Sequence, residues 1–312
     1  MSRIPRLSNP PQSANYRPPN TNRPANPNRP PVQGPPRTPG NLNPGVPPQH
    51  NQGQAPAMRP SNQQAPALDM NNAATLTHGM NPNFVRPALE NGRLSSAYER
   101  LGPNGNYHRP ADRNGGGALG VYTRAQGVGQ DTWRAQGHGV GSNPNNAQLV
   151  LNPNLLQNNP NWRASTTDNM GRVPGSTAAN QAALPPGNPL QRTRPMWAQQ
   201  TENGRNQNFN NTVAGTQPHQ QNEQVHWQSI PLNNGNLRGI LTTSPQTFNQ
   251  MMQIPGAQPS GLRPPSAGNG IQGLGTVPVG NQRVPVVQAE PNSSQANALK
   301  LGGITDSTGH VR

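Results

Sequence analysis

Apolar residues recur with the period of a helix or a strand at only a few places in this chain. In residues 87–101, Leu94, Tyr98 and Leu101 fall on one helical face. Ser96 and Glu99 are spaced as a capping box, and Gly102-Pro103 ends the run. A short helix over 94–101 is expected, too short to hold by itself. In residues 229–241, Ile230-Pro231-Leu232 and Leu237-Arg238-Gly239-Ile240 flank the turn-former Asn233-Asn234-Gly235-Asn236. That pattern predicts a hairpin, weakened by Pro231 and Gly239. Directly after it, Ser244 is placed to cap a helix over 245–253 with Pro245 at its first position. Phe248, Met251 and Met252 share one side of that helix, the face a partner-docking helix would present. A transient helix with no partner has the same spacing. Further on, Val277-Pro278-Val279 and Val284-Pro285-Val286 each carry a central proline, which predicts extended chain and no hairpin.

Elsewhere the periodicity fails, and composition decides the expectation. Hydrophobic residues are 29% of the 312, aromatic residues 4%, and glycine and proline number 34 and 40. Mean hydropathy is -0.92. Ordering one backbone residue costs about 1–2 kcal/mol, which apolar burial must offset. The expected fold class is therefore intrinsically disordered, mostly coil and polyproline-II, with those short helices and that hairpin as islands. Four regions follow: an acid-free Pro/Asn/Arg-rich arm over 1–67, a polar linker with one helical island over 68–121, a tryptophan-spaced region over 122–243, and a short helix with a tail over 244–312.

Short repeats run through the chain without a regular period. Gln54-Ala55-Pro56-Ala57-Met58 returns ten residues later as Gln64-Ala65-Pro66-Ala67-Leu68. Asn-Pro-Asn occurs at 26–28, 81–83, 143–145, 152–154 and 159–161, and Glu-Asn-Gly-Arg at 90–93 and 202–205, both read as turn-forming spacers. The spacings exclude a solenoid or propeller.

Charge narrows the partners. The formal net charge is +14, and seven arginines but no acid fall in residues 1–67. This suits nucleic acid or another polyanion. Lys300 is the only lysine; the other 23 basic residues are arginine, which stacks on rings and forks onto phosphate better than lysine does. Codon bias accounts for the same scarcity. Pro24, Pro27 and Arg29 match the Pro-x-x-Pro-x-Arg pattern of an SH3 ligand, a match that chance produces readily among 40 prolines. Trp133-Arg134, Trp162-Arg163, Trp197 and Trp227 lie 29, 35 and 30 residues apart, and read as isolated aromatic contact points for bases or other aromatic side chains.

Catalytic motifs are excluded or unsupported. A Walker loop needs Gly-Lys, and no Gly-x-Ser-x-Gly elbow occurs. The ten acids are scattered without a scaffold that pairs them. The best metal-like set is His219, Glu223 and His226, which spacings of four and three would put on one helical face, though no second shell is visible. No metal or cofactor is expected. With no cysteine there is no disulfide or thiolate chemistry. No apolar run reaches membrane-spanning length and the first residues lack a signal-peptide core, so an intracellular or non-classically exported protein is expected. Residues 1–12 resemble in composition the export signal of bacterial type III secreted effectors, being acid-free with Ile4, Ser2 and Ser8. That resemblance implies a translocated effector or secretion substrate as an alternative, and a virion or assembly protein ordered only on its partner is another. The leading expectation is a non-enzymatic, basic scaffold making weak multivalent Arg and Trp contacts, with single-stranded RNA as preferred partner and self-association beside it.

Overall fold

The computed structural model describes residues 64–101, 120–130, 140, 143–165, 201–215, 223–226, 229–260, 270–290 and 293–312. Over these residues the chain is a folded, β-rich protein, which corrects the expectation of intrinsic disorder. The strands are β1 (Ala73–Met80), β2 (Arg93–Leu94), β3 (Val121–Gly127), β4 (Ala147–Leu151), β5 (Trp162–Ser165), β6 (Glu223–His226), β7 (Ile230–Pro231), β8 (Leu237–Thr242), β9 (Gln258–Pro259), β10 (Ile271–Val279) and β11 (Gln282–Ala289). Nine of them form one mixed sheet in the order β5-β6-β3-β1-β4-β8-β11-β10-β9, and β2 pairs separately with β7. The one parallel pairing among the described strands is β8 with β11.

Both faces of the sheet are covered. This explains the unbroken apolar runs Leu149-Val150-Leu151, Ile240-Leu241 and Val286-Val287, since a strand buried on both sides needs no polar alternate. Leu76, Leu149, Leu151, Ile240 and Val286 point to the first face. They pack there with α1 (Val85–Glu90), α3 (Leu155–Asn158), α4 (Glu202–Val213) and α5 (Pro245–Met252) through Leu89, Leu156, Phe209 and Met251. Val150, Leu241 and Val287 point to the second face, under Ala298 and Leu299 of α6 (Gln295–Leu301) and Ile304. Apolar residues that are few in the chain as a whole are concentrated at these positions.

The local expectations fare differently. The capping box forms: Ser96 N donates to Glu99 Oε2 at 2.7 Å, and Glu99 N to Ser96 Oγ at 3.2 Å. The helix it starts, α2, is one turn, Ala97–Leu101. Leu94 lies outside it in β2 and is buried, while Leu101 is 51% exposed, so the two share no face. The hairpin over 229–241 does not form. Asn233–Asn236 does turn, with Asn234 at φ 54° and Asn236 N bonded to Asn233 O at 3.0 Å. Its arms then part: β7 pairs with β2, and β8 enters the large sheet between β4 and β11.

A hairpin does form where the prolines argued against it. β10 and β11 pair along their length around Gly280 and Asn281. Gly280 has φ 56°, the conformation a type II′ turn needs at its first central position. Counting from the flanking pair Val279–Gln282, Pro278 and Pro285 fall at alternate, non-hydrogen-bonded positions of this ladder. Neither proline loses a bond to the partner arm. On its other side, Pro285 precedes the stretch of β11 paired with β8, and Pro278 lies past the stretch of β10 paired with β9. The prolines occupy sites where no donor is required.

Candidate functional site

The surroundings of Trp162 are built from three elements. β5 places the ring on the first face, where it is fully buried, and its Nε1 donates to Leu156 O at 3.0 Å. Phe209 of α4 meets it edge-on, 6.1 Å between centroids, and the Arg205 guanidinium sits 4.5 Å over the ring. Arg205 also bonds Pro160 O at 2.9 Å and Glu202 Oε1 at 3.2 Å. Burial pulls its pKa below the usual arginine value, while the Glu202 carboxylate pushes the other way. Trp162 thus keeps no ring face open for a base. The cation stacked on it comes from 43 residues along the chain, not from the adjacent Arg163.

Arg163 points from β5 to the second face and is 2% exposed. Desolvation, with the Arg205 charge added, lowers its pKa to about 10. Its Nη1 donates to Trp162 O at 2.8 Å. Strand alternation brings Arg124 of β3 and Glu223 of β6 to that same face, as direct cross-strand neighbours. Thr75, Thr77 and Gln126 complete this polar half-face, with Thr75 Oγ1 bonded to Gln126 Oε1 at 3.2 Å and Gln295 Nε2 of α6 reaching Gln126 Oε1 at 3.4 Å. Arg124, Arg163 and Glu223 all have partners within the fold. All three side chains are buried, so the layer offers no exposed cation.

The metal-like set does not assemble as the helical spacing implied. Glu223 and His226 lie on a strand, where a separation of three puts them on opposite faces. His219 lies outside the described residues. Among the described residues, no group of three or more His, Cys, Asp or Glu side chains is close enough to hold a metal ion. His226 instead faces Thr123, Nε2 to Oγ1 2.8 Å, and is 2% exposed. Desolvation, then the nearby His78, lowers its pKa to about 3, so the imidazole is neutral at pH 7. His78 Nδ1 donates to Tyr122 O at 2.6 Å.

The helix offered for partner docking is α5, Pro245–Met252, and it packs on its own sheet. Met251 is buried, and Phe248 and Met252 are half-buried over β10. Gly273 and Gly275 make room for them: a Cβ at Gly273 would lie 3.1 Å from the Phe248 ring, and one at Gly275 would lie 2.7 Å from Met252 Cε. Ser244 occupies the N-cap position, but its hydroxyl bonds Gln246 Oε1 at 2.8 Å and caps no backbone amide. Trp133, Arg134, Trp197 and Trp227, and the SH3-type set Pro24, Pro27 and Arg29, lie outside the described residues.

Sequence reasoning missed α4. Its sequence, Glu-Asn-Gly-Arg-Asn-Gln-Asn-Phe-Asn-Asn-Thr-Val, has no apolar stripe, and its opening Glu-Asn-Gly-Arg reads as a turn. Its legible signal is Thr201, whose hydroxyl accepts from Gly204 N at 3.0 Å, followed by an acid in the first turn. Among the described residues no helix is long and apolar enough to cross a membrane. No protein-family model, curated protein or solved structure matches this chain.

Proposed function

We propose that the chain is a non-enzymatic basic binding protein. Its β domain anchors arginine-bearing segments that contact a polyanion, single-stranded nucleic acid and RNA by preference. The observation behind this reading is where the charge lies. The described residues hold ten basic and seven acidic side chains, so eleven of the fourteen net positive charges fall in the remaining segments. Residues 1–63 alone carry seven arginines and no acid. Arginines at this density give modest affinity with a steep salt dependence. Trp133-Arg134, Trp197 and Trp227 remain the aromatic contact set, and Trp162-Arg163 leaves it because both side chains are spent inside the fold. Arg–aromatic contacts between copies would give self-association from the same groups.

Fluorescence anisotropy with a labelled oligouridylate tests this on the full chain. Changing the seven arginines of residues 1–63 to serine should weaken binding at least tenfold. The salt slope should flatten by about 0.7 for each phosphate no longer neutralised. Unchanged affinity in that variant, or wild-type binding indifferent to salt, would overturn the reading.

A further inference from the structure

One aromatic ring of the folded domain stands in the open. Of the large apolar side chains exposed among the described residues, Phe84, Leu101, Val128 and Leu301, only Phe84 is aromatic, and it is 48% exposed. It ends a 3-10 turn, Pro82–Phe84, that leads into α1. Two bonds hold this turn: Asn81 Oδ1 accepts from Asn83 N at 2.9 Å, and Asn83 Oδ1 accepts from Gln250 Nε2 of α5 at 2.6 Å. Arg100 of α2 stacks on the ring, its guanidinium 5.0 Å from the centroid. The capping box fixes the start of α2, and Ser229 Oγ donates to Glu99 Oε1 at 2.6 Å. Ring and cation are thus each positioned by bonds of their own, before anything binds.

The nearby Arg86 is spent on Glu90, at 2.7 Å. Arg100 is exposed and has no carboxylate partner among the described residues. The contrast is with Arg205 over Trp162, where the ring is buried and the guanidinium is bonded to Pro160 O and Glu202, so that pair serves the fold. We infer that Phe84 and Arg100 form a nucleobase site on the folded domain. A base of single-stranded RNA stacks on the side of the Phe84 ring that Arg100 does not cover, and Arg100 meets an adjoining phosphate. The site deepens the polyanion reading above, rests on it, and adds a contact outside residues 1–63. A nucleotide is the fitting occupant because it brings a π-face and an anion together. An apolar peptide would cover the ring and leave the cation unpaired. Every base has a π-face, so the site holds a strand without reading its sequence.

The test is anisotropy on the full chain with the labelled oligouridylate, across a range of salt. Phe84→Leu keeps the apolar packing and removes the ring. It should weaken binding about tenfold, the scale of one lost base stack, at an unchanged salt slope because no cation is removed. Phe84→Trp should bind at least as tightly as the wild type. Arg100→Gln should weaken binding and flatten the slope by about 0.7. Wild-type affinity in Phe84→Leu, with the variant lacking the seven arginines of residues 1–63 still weakened, would overturn this site and leave the polyanion reading standing. Weakening in Phe84→Leu that comes with a lower thermal midpoint, and is matched in Phe84→Trp, would also overturn it, as a packing effect. A wild-type chain that fails to bind the oligouridylate would overturn both.

Discussion

Four Asn-Pro-Asn tripeptides within the described residues make the same turn. In each, the first asparagine's Oδ1 accepts from the backbone N–H two residues on: Asn83 at 2.9 Å, Asn145 at 3.1 Å, Asn154 at 3.0 Å and Asn161 at 3.0 Å. Proline between them has no N–H to compete and fixes the backbone for the turn. Each turn launches an element, so what reads as spacer acts as punctuation. Asn152→Ala should cost about 1 kcal/mol, the range of a lost side-chain cap, seen as a lower denaturation midpoint at unchanged m-value. At the same scale, buried His226 makes stability depend on pH. Its folded pKa of about 3 lies below the unfolded 6.5, so the unfolded state binds the extra proton as pH falls. The contribution is complete above pH 6.5 and is lost progressively toward pH 3. Urea unfolding at pH 7 and at pH 5 should differ by about 2 kcal/mol from this group alone, and His226→Gln should remove that part of the slope.

At the scale of elements, α5 was legible because proline at its first position and an apolar side are local signals. What it docks against was not. The space over β10 exists because Gly273 and Gly275 lack side chains, and nothing local links those glycines to Phe248 and Met252. Gly275→Ala should destabilise by about 1–3 kcal/mol through overpacking against Met252 and Gln258 O, and Met252→Ala in the same chain should recover part of that. Thermal unfolding of the two single variants and the double checks it. The β10–β11 hairpin shows the converse case. Prolines that weigh against a strand in a propensity count become neutral when register places them where no donor is needed. Register is a property of the pair of strands, which neither arm states alone.

At the scale of the whole molecule, composition averaged over the chain hides the core. A chain 29% hydrophobic cannot bury a core spread evenly over 312 residues. It can bury one drawn from a subset, and the two core clusters gather residues from 73 to 304. Stability should therefore reside in the described residues. Deleting residues 1–63 should leave the unfolding midpoint within a few degrees of the full chain while removing most polyanion binding. Calorimetry and anisotropy on the same preparation would show the two properties parting. Trp162→Ala should do the reverse, costing about 3–5 kcal/mol of stability because Phe209 and Arg205 both pack on that ring.

By itself the sequence determined the devices whose partners lie within a few residues, namely the Asn-Pro-Asn turns, the Ser96–Glu99 capping box and the helix over Pro245–Met252, together with the acid-free, arginine-bearing stretch over 1–67. Hydrogen bonds that close over two to four residues depend on backbone geometry that neighbours dictate. Only the tertiary structure decided the sheet order, the burial of Trp162 and Arg163, and the division of Glu223 from His226 across the sheet. Those depend on pairings such as Leu149 with Ile240, reached across long polar connections, and on which face each strand turns inward. Alternation and hydrophobicity leave both choices open until a distant strand occupies the ladder.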